Sequence, residues 1–294
     1  MFERKGEKQN LISSTIFLLM NCFYLLGNLV NLSEIKKLQD NILGWYATNK
    51  RLLPRRETDN PYAIHISEVM SQQTQVDRVI PYWKTWMKDI PDYKALAWIS
   101  KIDLLSHWSW LGFNSRALRL QECAREVMEK YDGILPRDKE KLLELPWIGP
   151  YTASAICAFA RNLAEPVIDT NIRRVLIFLL KLPEDISYSE LENIAKELIP
   201  SWRSRDWHNA LMDYWATHLT ARKTKIKSLW KQSKFEWSDR EVRWWILKQL
   251  TASKWALKIS KIWEEFPRKD IDVIIDWMVK DKMVQRVWDY VIIE

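Results

Sequence analysis

Apolar residues recur at helical spacing along most of this chain. Ile35, Leu38, Ile42 and Trp45 mark one face of an amphipathic helix over residues 33–50, opened by Ser33. Pro54, Pro61 and three arginines break the pattern at 51–61, which reads as a basic loop. Helical periodicity returns from about 63 to 72 and from about 76 to 89. It continues in shorter runs at 93–98, 101–107, 114–131 and 138–144. Residues 151–163 are almost wholly apolar and predict a buried helix. Asp169 opens a helix to about Leu180, and two more fit 188–198 and 205–220. Strand-like alternation is nearly absent before residue 280, so the pattern predicts an all-α protein.

Charge then divides the chain. Arg222, Lys223, Lys225, Lys227, Lys231 and Lys234 follow one another with no acid between them, as a solvated linker or a phosphate contact. Beyond them Asp239–Thr251, Lys254–Phe266 and Lys269–Lys280 read as three helices, and Met283–Ile293 alternates toward a strand pair. Three helices and a hairpin suggest a winged-helix-like module over 235–294. The main domain is then 33–230, preceded by a segment at 1–32. Leu11–Val30 carries no charge and is long enough to span a bilayer. Its serines, threonine and asparagines, with no obvious cleavage site, argue against a membrane role. It reads instead as an extra packed helix or upstream sequence.

Composition narrows the class. At 47% hydrophobic residues with 18 tryptophans, the 294-residue chain can bury a sizeable core and is not a disordered protein. A net charge of +7 is compatible with a polyanion partner. Cys22, Cys123 and Cys157 are far apart and form no metal-ligand spacing. Cys157 lies in an apolar run and reads as a buried thiol. Reduced cysteines point to an intracellular setting, here cytoplasmic.

Three segments could carry chemistry. In Leu145–Ala153 a short helix ends, a turn at Gly149 follows and an apolar helix begins near Pro150. Backbone N–H groups at such a turn, at Ile148, Gly149, Tyr151 and Thr152, can hold a DNA phosphate without reading sequence. Asp169 follows an apolar pair and precedes a helix, so it is an N-cap, a carboxylate facing a cleft, or both. Glu68 and Gln72 share a helix face among Ile64, Ile66, Val69 and Met70. A carboxyl group surrounded by apolar side chains keeps its proton near neutral pH and can act as a general acid. The alternative is an ordinary surface glutamate.

The blocks Leu53-Pro-Arg-Arg56, Asp59-Asn-Pro-Tyr62, Ser67-Glu-Val-Met-Ser-Gln-Gln-Thr-Gln-Val76, Trp110-Leu-Gly-Phe-Asn-Ser-Arg-Ala117, Leu145–Ala153 and Val167–Val175 come in the order seen in the helix-hairpin-helix DNA glycosylases. They most resemble the adenine-specific, MutY-type branch, over about residues 35–230. The resemblance implies a fold of two helical lobes. It assigns Glu68 as the acid that protonates the departing adenine, and Asp169 as the carboxylate that stabilises the sugar cation. Asn171 would support Asp169. Tyr151 stands where lyase-type relatives have a Schiff-base lysine, which implies a monofunctional enzyme. Gln72, Gln73, Thr74 and Phe113 match residues around the flipped base, and an alkali metal ion is implied at the hairpin carbonyls. Base flipping costs a few kcal/mol, and wedge side chains would fill the gap it leaves. Cleavage then needs one protonated and one ionised carboxyl group.

The departures are as specific. The branch has four cysteines binding an iron–sulfur cluster, but Leu219, Ile226 and Leu229 fall near the ligand positions. No cluster is expected, with apolar packing in its place. Trp147 replaces the hairpin's first glycine, and Arg55 replaces a tryptophan. Residues 235–294 are too short for the branch's Nudix-like domain. The expected function is a monomeric glycosylase that removes adenine opposite 8-oxoguanine or guanine from double-stranded DNA. The alternatives are a thymine or uracil mismatch glycosylase and a non-catalytic DNA-binding protein.

Overall fold

A computed structural model describes residues 32–219, 235–253 and 256–293, together with Thr224 and Ile226. The apolar segment at 11–30, Cys22, Leu229 and most of the basic stretch lie outside the described residues. No helix among the described residues is long and apolar enough to cross a membrane. The chain is overwhelmingly helical, as its periodicity predicts, and its residues fall into two compact units.

One unit joins the first described helix to the middle of the chain, residues 153–231. It contains α1 (Leu32–Asn49), the end of α8 (Pro150–Ala155), α9 (Thr170–Leu180), α10 (Tyr188–Glu197) and α11 (Ser204–Thr217). Ile42, Ile172, Val175, Trp207 and Leu211 share one buried cluster. Leu219 and Ile226 belong to that buried group, so two positions matched to iron–sulfur ligands hold core side chains. The apolar helix expected to 163 is shorter. After α8 the chain makes a π-helical turn at Ile156–Ala160, and Asn162 (φ 55) turns it left-handed out of the helix. Cys157 is buried, as its apolar surroundings predict. Asp213, with no exposed surface, accepts the Arg51 backbone N–H at 2.9 Å and its Nε at 2.5 Å.

The other unit joins residues 54–152 to Gln232–Glu294. It opens with a 3-10 turn (Pro54–Arg56). Next come α2 (Pro61–Ser71), α3 (Val76–Asp89), α4 (Tyr93–Trp98), α5 (Lys101–Trp108), α6 (Ser115–Tyr131) and α7 (Lys139–Leu143). Its C-terminal part runs α12 (Asp239–Ser253), β1 (Leu257–Lys258), α13 (Ile259–Glu265), α14 (Ile271–Lys280), β2 (Gln285–Val287) and β3 (Tyr290–Ile292). The sheet order is β1-β3-β2, all antiparallel, which is the winged-helix arrangement. The helix expected over Lys254–Phe266 begins only at Ile259. Leu257–Lys258 is an extended segment paired with β3, and a two-residue strand has no period to read.

Candidate active site

Asn60 caps α2, accepting the N–H groups of Tyr62 and Ala63, and Pro61 supplies the first helical position. Every residue from Tyr62 to Met70 is buried. Glu68 is therefore only 4% exposed, but its surroundings are not simply apolar. The Arg55 guanidinium donates to Oε1 at 2.9 Å, and the Tyr151 hydroxyl donates to Oε2 at 3.0 Å. The expected apolar pocket is thus corrected to a hydrogen-bonded ion pair. Arg55 reaches Glu68 because the basic segment is not an open loop but a 3-10 turn, which holds the side chain 90% buried (10% exposed). Its Nε is buried with no hydrogen-bond partner.

The residues matched to the flipped base converge on two turns. Gln72 ends α2, Gln73 follows at φ 55, and both are exposed. Opposite them, Gly112 (φ 70) and Phe113 (φ 49) make a left-handed pair before α6, and Phe113 is 36% exposed. Glycine takes that conformation without strain, whereas an aromatic residue does not. Thr74 Oγ1 contacts the carbonyls of Gln72 (3.3 Å) and Leu111 (3.4 Å). The turns are tied by Arg116, which carries no sequence signal beyond its position. Arg116 Nη1 donates to the carbonyls of Val69, Met70 and Gln72 at 2.6, 3.2 and 2.7 Å. Its Nη2 donates to Leu111 and Gly112 at 3.2 and 2.9 Å. Burial pushes its guanidinium down to about 10 from 12.5. The signal available was position alone, a lone arginine three residues after Phe113.

In the hairpin, Trp147 has φ 67, a conformation suited to the glycine it replaces. Its indole N–H donates to Glu122 at 2.7 Å and Arg119 lies 4.4 Å over its ring, so α6 holds the side chain. The Ile148 N–H is spent on the Leu145 carbonyl at 3.3 Å. Gly149 is exposed, Tyr151 partly so, and Thr152 buried.

Asp169 and Asn171 belong to the other unit. Asp169 is the N-cap of α9, its Oδ1 accepting the backbone N–H of Asn171 at 2.9 Å and of Ile172 at 2.6 Å. Asp169 is partly exposed. Asn171 supports it through its backbone. Two residues upstream, the Val167 N–H donates to His208 Nε2 at 3.1 Å, and His208 Nδ1 lies 2.8 Å from the Ser204 carbonyl. That pattern needs a neutral ring protonated on Nδ1. Burial agrees, lowering the imidazole to about 4. His208 is a positioning residue that periodicity does not reveal, because it reads as one more buried helix position.

Residues 66–201 match the HhH-GPD superfamily of base excision DNA repair proteins. The chain is 33% identical over 272 residues to an adenine DNA glycosylase of Mycolicibacterium smegmatis, covering 84% of this chain and 92% of that protein. The chain belongs to the adenine DNA glycosylase family of the helix-hairpin-helix superfamily. The adenine DNA glycosylase of Mus musculus is 37% identical over 206 residues, 66% of this chain and 40% of the longer mouse protein. Among solved structures, a thermostable thymine-DNA glycosylase superposes with TM-score 0.61 and 28% identity, over 64% of this chain and 89% of that one. An endonuclease III bound to DNA (TM-score 0.58, 21% identity, 65% and 88% covered) has the same fold. An iron–sulfur cluster does not fit the residues this glycosylase has. Its 3 cysteines are one short of four, and Cys123 and Cys157 are buried in different units.

Proposed function

We propose that this glycosylase hydrolyses the N-glycosidic bond of adenine mispaired with 8-oxoguanine or guanine, leaving an abasic site without cutting the strand. The observation that carries the reading is the Tyr151–Glu68 hydrogen bond at 3.0 Å. It fixes a buried carboxyl group beside the position where a lyase needs lysine. Glu68 passes a proton to the departing base as general acid, worth about 10²–10⁴-fold in rate, once it has taken up that proton and given up its pairing with Arg55. Asp169 is the ionised carboxylate that stabilises the sugar cation. Gln72, Gln73, Thr74 and Phe113 fill the duplex around the extruded nucleotide.

The hairpin grips a backbone phosphate through the N–H groups of Gly149, Tyr151 and Thr152. Ile148, whose N–H is used within the turn, shapes the hairpin. An alkali metal ion would be held by backbone carbonyl oxygens there, which any side-chain sequence supplies. The enzyme acts as a monomer on double-stranded DNA in the cytoplasm, at the nucleoid.

A thymine or uracil mismatch glycosylase is the second reading. It is favoured by the likeness to the thymine-DNA glycosylase. Labelled duplexes carrying A opposite 8-oxoguanine, A opposite G, T opposite G and U opposite G separate the two after hot-alkali treatment. Cleavage of the A strands is expected. Cleavage confined to T or U strands would establish the second reading, and nicking before alkali would overturn the monofunctional one.

A further inference from the structure

Trp147 stands where the resemblance places a glycine, and the hairpin's grip on a phosphate through its N–H groups makes no use of the indole. That side chain, 53% exposed, lines a cavity of about 470 Å³ within one compact unit. Arg119, Glu122 and Arg125 of α6 line it too, with Lys101 from the start of α5. The remaining charges are Lys280, Asp281 and Lys282, at the end of α14 in the C-terminal part. Five cations thus share the cavity with two carboxylates.

Trp147 organises the α6 side. Its N–H engages Glu122 at 2.7 Å, and the Arg119 guanidinium lies 4.4 Å over its ring. A guanidinium held by its face keeps its N–H edge for two oxygens of a phosphate. The lysines are fixed by their backbone. The Lys282 N–H donates to the Val279 carbonyl and the Met283 N–H to the Met278 carbonyl, both at 2.9 Å, with Lys282 left-handed at φ 56. This is a Schellman turn, anchored by the buried Met278 and Met283. Lysines at a helix end complement its dipole, which accounts for Lys280 and Lys282 alone. It does not account for the arginines of α6, nor for Lys101, which holds the first position of α5, where the dipole disfavours a cation. Among the described residues, none of the five cations is in an ion pair.

Clustered cations without partners repel one another and are stabilised by an anion. We propose that this cavity holds a second backbone phosphate of the bound DNA, beside the one on the hairpin, with Arg119, Lys280 and Lys282 as its donors. Trp147 is the positioning residue. It replaces the hairpin's glycine and fixes Arg119 where the strand leaves the hairpin. The C-terminal part thereby joins the hairpin in holding the DNA backbone, without reading sequence. The assignment rests on the hairpin reading, because that grip is what brings the strand to the cavity. An acidic protein segment carries a like charge, but the hairpin would not deliver it.

The test uses full-length protein and a duplex bearing a non-cleavable abasic analogue opposite guanine. Each phosphate flanking the analogue is replaced in turn by a neutral methylphosphonate. In the wild type, replacement at the hairpin phosphate and at one neighbouring position should each weaken binding by about tenfold, the scale of a charge-assisted hydrogen bond. In Arg119→Gln, and in Lys280→Gln combined with Lys282→Gln, the neighbouring replacement should have no effect, while the hairpin replacement keeps its own. The slope of log Kd against log salt should also become shallower by about 0.9, the contribution of one phosphate. Trp147→Gly should fold, because its left-handed backbone suits glycine, and should lose the same neighbouring effect through Arg119. Variants in which every replacement keeps its wild-type effect would overturn the proposal. A shallower slope with no position uncoupled would reveal a general charge effect and overturn it equally. So would inorganic phosphate that fills the cavity while no duplex position is uncoupled. Melting curves report folding, and the exposed Arg119, Lys280 and Lys282 keep the test open if Trp147→Gly does not fold. A hairpin replacement without effect in any protein would count against the hairpin reading, whereas the neighbouring position reads the cavity separately.

Discussion

In the proposed reaction Asp169 carries two loads on one carboxylate. Oδ1 is engaged by the first turn of α9, which fixes the side chain and adds the favourable field of a helix N-terminus. Asparagine caps a helix about as well as aspartate, so Asp169→Asn removes the charge and leaves the cap. The expected outcome is excision slowed by about 10²-fold or more, the scale of losing one preorganised electrostatic group. Binding to an abasic duplex and the melting temperature should stay close to wild type. Unchanged single-turnover excision would show that the charge at Asp169 is not used. The N-cap and the general position of Glu68 were legible in the sequence, because both are local signals. The partners of Glu68 were not. Arg55 lies thirteen residues upstream and Tyr151 eighty-three downstream, and no periodicity reports a contact across such separations. The same applies to Trp147, whose left-handed backbone makes physical sense of the missing glycine but had to be seen.

Helices were legible because their apolar faces repeat, whereas the turns that place the chemistry depend on distant groups. Gln73 and Phe113 hold left-handed backbones on two separate connections. Arg116 locks both by forking across five carbonyls of Val69, Met70, Gln72, Leu111 and Gly112. Lysine carries the same charge but a single point donor, so it cannot reproduce that fork. Arg116→Lys is expected to destabilise the protein by about 2–3 kcal/mol, since buried carbonyls lose their partners. Excision should fall further than stability alone explains if Gln73 and Phe113 act as proposed, because both lose their fixed backbones. Urea unfolding gives the first quantity and single-turnover excision at saturating enzyme the second. A variant with normal excision would show that the two turns hold themselves.

At the scale of the molecule, the missing iron–sulfur cluster is met by the core. Leu219 and Ile226 are 7% and 6% exposed and pack with α1, α9 and α11, so apolar burial ties down this end of the unit. Purified protein is accordingly expected to show no iron–sulfur absorbance, and a brown preparation would contradict this. The molecule also carries two neutral buried histidines, one in each unit. His65 is 1% exposed beside the Tyr93 hydroxyl at 2.9 Å, and His208 is 2% exposed on Val167. Burial lowers both from 6.5 to about 4. Between those values the unfolded chain takes up protons that the folded chain refuses. Stability is therefore fully present above about pH 6.5 and falls as the pH drops toward 4. Each histidine contributes a slope of about 1.4 kcal/mol per pH unit in that window. Urea midpoints at pH 7, 6 and 5 should fall with an unchanged m-value, and His208→Gln should flatten part of the decline. Excision should follow the folded fraction over the same range, because His208 in the folded chain stays neutral down to about pH 4 and keeps accepting the Val167 N–H, two residues before Asp169. Midpoints that stay level from pH 7 to 5 would mean the imidazoles are not held neutral, and the tautomer assigned to His208 would fall with them.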